Sequence, residues 1–124
     1  MNLRKGFTLI ELIVVVAIIG ILMLIAIPKF AEMTTGSQIA TFEANHRIIC
    51  TAISFAFADN DGNIPDESQV AAYLPDGMTG VSDMDDRPKD AQYAYDDTTG
   101  TLTSTFHKYT KGNGASPDEL VYTP

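Results

Sequence analysis

Residues 5–27 begin Lys5-Gly6-Phe7-Thr8-Leu9-Ile10-Glu11-Leu12 and continue as an uncharged, apolar run from Ile13 to Ile27. The segment from Phe7 to Ile27 has 21 residues, of which only Glu11 is charged. As an α-helix it would be about 31 Å long, which is enough to cross the hydrocarbon core of a bilayer. The sequence therefore predicts a membrane-spanning helix near the amino terminus.

Two features distinguish this span from an ordinary one. A carboxylate such as Glu11 inside the membrane costs about 2 kcal/mol or more unless it has a partner. The pair Gly6-Phe7, which follows Arg4-Lys5, has the small-then-bulky character of a cleavage point on the cytoplasmic side. A cut there would remove the basic leader, leave the helix attached and make Phe7 a charged amino terminus, the reverse of secretory signal cleavage.

This pattern resembles the class III leader and amino-terminal helix of type IV prepilins and of the related type II secretion pseudopilins. The resemblance is specific over residues 4 to about 30, and beyond them it is one of layout. It implies that a prepilin peptidase cuts after Gly6 and methylates Phe7. It also implies that Glu11 pairs with the terminal amine of a neighbouring subunit during assembly.

Two simpler interpretations of the span explain fewer of its features. A cleavable secretory signal has a shorter apolar core and an A-x-A-like site, and neither fits this run. A plain signal anchor explains the apolar run and the basic residues before it, but leaves Glu11 and Gly6-Phe7 without a reason. The resemblance to prepilins explains all of these features.

The charge of the chain bears on its partners. The sequence has 16 acidic and 8 basic residues, and from Asp59 onward the count is 13 to 4. Such an anionic surface repels phosphate, so direct nucleic-acid binding is not expected. Cys50 is the single cysteine, so no disulfide can form within the chain, in contrast to the carboxy-terminal pair of many pilins.

The predicted fold is α+β, a long helix packed on a small antiparallel sheet of about three strands, as in pilins. We divide the chain into a leader (1–6), a transmembrane and filament-core helix (7–30), an amphipathic helix half (31–58) and a globular head (59–124). Gly20 and Pro28 are the predicted weak points of the helix. A helix from Phe7 to Ala58 would be about 78 Å long, so part of it is expected to project from the head.

The amphipathic half and the head are predicted from periodicity and turn signals. Apolar residues recur at helical spacing on one stripe: Ile39, Phe42, His46, Ile49, Ile53 and Ala56. Turn formers from Asp59 to Pro65 end the helix, and residues 66–74 predict a short helix with Val70, Tyr73 and Leu74 turned inward. Residues 76–90 read as an exposed loop. A hairpin of 91–95 and 101–109, with Tyr93 and Tyr95 facing Leu102 and Phe106, and a final strand at 120–123 complete the sheet.

Few residues suggest chemistry. Asp59, Asp61 and Asn63 match the start of a calcium-binding EF-hand loop, but the later positions do not, so an Asx-rich helix stop is the preferred interpretation. His46 and Cys50 have zinc-ligand spacing without a third ligand, so packing is preferred there. We predict no catalytic residues, no metal and no cofactor.

The resemblance implies a structural subunit that forms a helical homo-oligomeric filament with other pilins. The expected partners are membrane lipid before assembly, a prepilin peptidase, and an assembly ATPase with its platform protein. The precursor would sit in the cytoplasmic membrane and the product on the cell surface. A major pseudopilin of type II secretion, and an uncleaved membrane-anchored binding module, remain as alternatives.

Overall fold

The computed structural model describes residues 6–124. Its elements in chain order are α1 (Leu9–Asp59), α2 (Glu67–Ala71), a 3₁₀ helix (Val81–Met84), β1 (Gln92–Asp96), β2 (Thr101–Thr105) and β3 (Glu119–Tyr122). The predicted α+β class, with a long amino-terminal helix and three antiparallel strands, is confirmed. Arg4, Lys5 and the rest of the predicted leader before Gly6 lie outside the described residues.

The chain divides into two compact units, one up to Thr35 and one from Gly36 to Pro124. In the first unit α1 runs through both Gly20 and Pro28 without interruption. The weakening predicted at these two residues therefore produces no break in the helix, and its effect on assembly stays a prediction. The second unit contains the sheet and the hydrophobic core. From here on, "the head" means this unit, residues 36–124, which includes the second part of α1 as well as the predicted head at 59–124.

The head is built on one face of α1. Five residues of this helix are buried: Phe42, Ile49, Ala52, Ile53 and Ala56. Successive members are seven, three, one and three residues apart, which places all five on one side of the helix, the side that faces the sheet. The predicted apolar stripe is thus confirmed, with Ile39 and His46 partly buried at its edge.

The sheet has the strand order β1-β2-β3, and both pairs are antiparallel. Tyr95 pairs with Leu102 and Tyr93 pairs with Ser104 across the hairpin. Gly100 closes the hairpin turn with a φ of 73°, a left-handed conformation that glycine adopts without strain. A side chain covers the outer edge of β1, since Asp85 Oδ1 accepts a 2.7 Å hydrogen bond from the backbone N–H of Tyr93.

Two local predictions, the end of the second strand and the exposure of the loop before the hairpin, were wrong. The strand expected at 101–109 ends at Thr105, because the chain then makes a turn from Phe106 to Tyr109. In this turn the Tyr109 N–H donates a 2.8 Å hydrogen bond to the Phe106 carbonyl. Both aromatic rings are nevertheless buried and pack on Phe42. The segment 76–90 is not uniformly exposed, since its 3₁₀ helix buries Val81 and Met84.

Helix α2 is shorter than predicted and begins with a capping box. Asp66 Oδ1 accepts from the Gln69 N–H at 2.9 Å, while Gln69 Oε1 accepts from the Asp66 N–H at 2.9 Å. Val70 is buried as expected, but Tyr73 is 43% exposed, so its predicted inward direction was wrong. The helix ends at Ala71, and Tyr73 instead stacks on the exposed ring of Phe55, with ring centroids 5.9 Å apart.

Candidate assembly site

Thr8 and Glu11 form a capping box at the start of α1. The Thr8 N–H donates to Glu11 Oε2 at 2.8 Å, and the Glu11 N–H donates to Thr8 Oγ1 at 3.3 Å. The Thr8 carbonyl accepts the first helical bond, from Leu12 N–H at 3.3 Å, which makes Thr8 the N-cap residue. Thr8 was missed in the sequence analysis, although the Thr8-x-x-Glu11 spacing is the signal for such a cap.

This cap gives Glu11 a role within its own helix. The carboxylate satisfies a backbone donor that the first turn leaves without an intrahelical partner. A negative charge there is also favoured by the positive end of the helix dipole. A carboxylate can accept several hydrogen bonds, so the cap leaves Glu11 able to receive a further cationic donor.

The predicted cleavage point lies just before this helix. Gly6 and Phe7 are outside α1, and the Phe7 side chain is 94% exposed. A peptide bond in non-helical, accessible backbone can enter a protease site without prior unfolding. The arrangement therefore suits cleavage at this bond, while cleavage itself stays a prediction.

The apolar part of α1 has no covering within its own unit. It contains a stretch long and apolar enough to cross a membrane, and none of that stretch is buried. Its exposed side chains include consecutive large aliphatic groups such as Leu12, Ile13, Val14 and Val15. Apolar surface of this extent is stable in lipid or among other apolar helices but not in water.

In the head, His46 of α1 is hydrogen-bonded to the sheet. Its Nδ1 lies 2.8 Å from Oγ of Ser104, a fully buried residue of β2. Burial, and secondarily the charge of Arg47, lowers the pKa of His46 below its usual value. The neutral imidazole is therefore the favoured form in the folded head. The sequence analysis identified His46 but not Ser104. The two residues are 58 positions apart in the chain, so no local pattern indicates that they pair.

Cys50 lies partly buried one helical turn after His46. Burial raises the pKa of its thiol to about 11, so at neutral pH it is protonated and a poor nucleophile. Among residues 6–124, no group of three His, Cys, Asp or Glu residues is placed to hold a metal ion. The geometry of His46 and Cys50 is that of packing between helix and sheet.

The residues that resemble an EF-hand start instead close the end of α1. Asn63 Nδ2 donates to the Asn60 carbonyl at 3.0 Å, and Asn60 Nδ2 donates back to the Asn63 carbonyl at 3.3 Å. The Gly62 N–H reaches the Phe57 carbonyl at 3.0 Å, with Asp61 and Gly62 both at positive φ. This is the left-handed turn that commonly ends helices. The asparagines are used in backbone bonds.

A second polar contact joins α1 to the segment before β1. The Arg87 carbonyl accepts from Asn45 Nδ2 at 2.6 Å and from the Tyr93 hydroxyl at 2.7 Å. The sequence analysis missed Asn45 because it falls beside the apolar stripe, where a polar residue reads as solvent-exposed. Together with the bond between His46 and Ser104, this contact fixes the sheet and the segment before it on the part of α1 that lies within the head.

The fold and its first segment define an α+β protein with an amino-terminal helix able to span a membrane. Residues 1–27 match the profile of the family described as "Prokaryotic N-terminal methylation motif". In an alignment 125 positions long, gaps included, the chain is 31% identical to the type IV major alpha-pilin of Moraxella bovis. The alignment covers 95% of this chain and 75% of that protein. It belongs to the type IV pilin family.

Two further relatives agree with this assignment. The chain is 41% identical over 78 residues to the type IV narrow pilus major component PilA5 of Thermus thermophilus, covering 63% of this chain. It is 32% identical over 102 residues to a fimbrial protein of Pseudomonas aeruginosa, covering 82% of this chain. The alignments span 66% of each of these two relatives. No solved structure matches the chain.

Proposed function

We propose that this protein is a structural, non-enzymatic subunit of a type IV pilus-like filament. The observation that carries the proposal is an apolar helix with no buried residue in its membrane-length stretch, followed in the chain by a folded head with its own core. Such a helix needs lipid before assembly and equivalent apolar neighbours afterwards. Copies of the same chain supply those neighbours in a filament.

The proposed maturation removes the residues up to Gly6 and methylates the new amino terminus at Phe7. Cleavage creates an amine at Phe7, one residue before the N-cap Thr8 and four residues before Glu11, at the start of the helix. The amine of one subunit then pairs with Glu11 of another. At an effective dielectric of about 20 and a separation of about 4 Å, the attraction is about 4 kcal/mol before desolvation.

The proposed partners follow from this cycle. Before assembly the chain is a single-pass protein of the cytoplasmic membrane, where a prepilin peptidase cleaves it. An ATPase-driven assembly machine with a platform protein then extracts it from the membrane. In the filament its partners are other pilins, and the filament is displayed on the cell surface.

Mass spectrometry of the protein purified from cells tests the proposal. The expected amino terminus is N-methylated Phe7, found in fibres visible by electron microscopy. An intact Met1 in a chain that never enters fibres would support an uncleaved membrane-anchored module instead. A Gly6→Leu variant is the matched control, because it should keep the helix and the head intact but abolish cleavage and fibre entry.

A further inference from the structure

Asn113 lies in the loop between β2 and β3, and its side-chain amide bonds the backbone of Val121 twice. Nδ2 donates to the Val121 carbonyl at 3.0 Å, and the Val121 N–H donates to Oδ1 at 2.6 Å. A residue of a neighbouring antiparallel strand would make the same pair of bonds. Because β3 is an edge strand, the Asn113 amide stands where a fourth strand would pair and covers that edge.

The surrounding loop is held by the first residue of β3. The Glu119 carbonyl accepts from the N–H groups of Asn113 at 3.0 Å and of Gly114 at 3.2 Å. The Glu119 side chain accepts from the Ala115 N–H at 2.9 Å. Since no disulfide can close this part of the chain, these bonds and the Asn113 amide fix the loop against the sheet.

Asn113 also has an intrinsic chemical reactivity. It is followed by Gly114, and no other asparagine of the chain precedes a glycine. In an Asn-Gly pair the backbone nitrogen of glycine can approach the side-chain carbonyl carbon, because glycine has no Cβ to obstruct it. A bond forms between that nitrogen and Cγ, the bond from Cγ to Nδ2 breaks, and the amide group leaves as ammonia with the proton that the glycine nitrogen loses. Water then opens the cyclic imide to aspartate or isoaspartate.

We propose that Asn113 is a deamidation site whose reaction the fold suppresses and whose product releases the edge of β3. In the folded head both reacting groups are engaged elsewhere, the amide by Val121 and the Gly114 N–H by Glu119. The imide therefore forms only when the loop leaves β3. The resulting carboxylate has no N–H, so it cannot donate to the Val121 carbonyl. Two acceptors would then face each other, and the original pair of bonds cannot re-form.

This inference is independent of the proposed role in a filament. It requires only the loop, its bonds to β3 and water as co-reactant. It assigns a hydrolytic modification to an exposed residue in the loop before β3. The modification converts a closed strand edge into one with free backbone donors and acceptors.

The first experiment measures deamidation rates. The full chain in detergent micelles, the same chain in concentrated urea, and a peptide of residues 110–117 are incubated in warm, mildly alkaline buffer. Peptide mapping by mass spectrometry then follows conversion at Asn113. The unfolded chain and the peptide are expected to react about tenfold or more faster than the folded chain, since folding lowers the population of the open loop. Equal rates would overturn the proposed suppression.

The second experiment measures release of the strand edge. Hydrogen exchange of residues 119–122 is compared in full-length Asn113→Asp and Ser116→Asp variants. Both add one negative charge to the same loop, but only the first removes the donor to Val121. Faster exchange in Asn113→Asp alone is expected. Equal exchange rates in the two variants would overturn the proposed release. Equal exchange rates in the deamidated and the unmodified wild-type chain would also overturn it.

Discussion

His46 on α1 and Ser104 on β2 form a hydrogen bond of 2.8 Å between Nδ1 and Oγ, across the interface of helix and sheet. Ser104 is fully buried and His46 is partly buried, so neither group exchanges this partner freely for water. Asn45 makes the neighbouring contact from the same helix to the Arg87 carbonyl. Within the head, the sheet and the segment before it are thus held to α1 by apolar burial and by polar contacts of fixed geometry.

The His46 contact predicts that the head loses stability in mild acid. The pKa of His46 is lowered in the folded state, whereas in the unfolded chain it is about 6.5. Just below that pH the unfolded chain therefore binds a proton at His46 more readily than the folded chain does. Above that value both states are neutral and His46 contributes no pH dependence. The free energy of unfolding should therefore fall as the pH decreases from about 7 to about 5.

Urea unfolding of a fragment lacking residues 1–30, repeated across this pH range, measures the effect. His46→Gln should flatten the pH dependence, because the amide keeps hydrogen-bonding capacity without titrating. His107→Gln is the matched control, since His107 is exposed and makes no contact with Ser104. An unchanged slope in His46→Gln would assign the acid sensitivity to other groups.

Removal of the Ser104 hydroxyl is a separate test of the same interface. Ser104→Ala should destabilise the head by about 1–3 kcal/mol, since it leaves the His46 nitrogen partly buried without its partner. Thr103→Ala, on the adjacent and partly exposed position of β2, should cost less. Equal losses in the two variants would indicate a general effect of strand propensity.

Sequence reasoning predicted the parts of this molecule that depend on local pattern. The apolar run before Pro28 was predicted from its length and lack of charge, and the stripe containing Phe42 and Ile49 from its helical spacing. The hairpin with Tyr95 opposite Leu102 follows from two strand-like runs joined by turn formers. These features have local causes, and a local reading of the chain detects them.

The features that were missed depend on contacts between distant residues. Tyr73 faces Phe55 rather than the core because α2 ends two residues before it. Ser104, Asn45 and Asn113 are polar residues whose partners become neighbours only after folding. At the amino terminus, by contrast, the signal for the Thr8 cap was present in the sequence.

The aromatic cluster around Phe42 should be the largest single contribution to head stability. The Phe42 ring lies 5.2–5.8 Å, between centroids, from the rings of Tyr93, Phe106 and Tyr109. Phe42→Ala should lower the free energy of unfolding by about 3–5 kcal/mol, because it removes a fully buried ring and leaves a cavity. Phe55→Ala, which truncates an exposed ring of the same helix, should cost much less in the same urea titration.

The two roles of Glu11 can be separated by comparing three variants. Glu11 caps its own helix through Thr8, and we propose that it also pairs with the Phe7 amine of another subunit. Glu11→Gln preserves the capping box, which accepts glutamine at this position, but removes the charge. Thr8→Val removes the hydroxyl of the cap but keeps the charge. Glu11→Ala removes the charge together with the side chain that accepts from the Thr8 N–H.

If the charge sets assembly, fibre yield should fall strongly in Glu11→Gln and Glu11→Ala and remain close to that of the parent in Thr8→Val. If the cap is what matters, Thr8→Val and Glu11→Ala should assemble poorly and Glu11→Gln should assemble well. Fibre yield is measured by shearing and electron microscopy, with membrane levels and amino-terminal processing of each variant quantified in parallel. Normal yield in Glu11→Ala would contradict both roles, because the loss of an attraction of about 4 kcal/mol before desolvation should be visible in any assembly that depends on it.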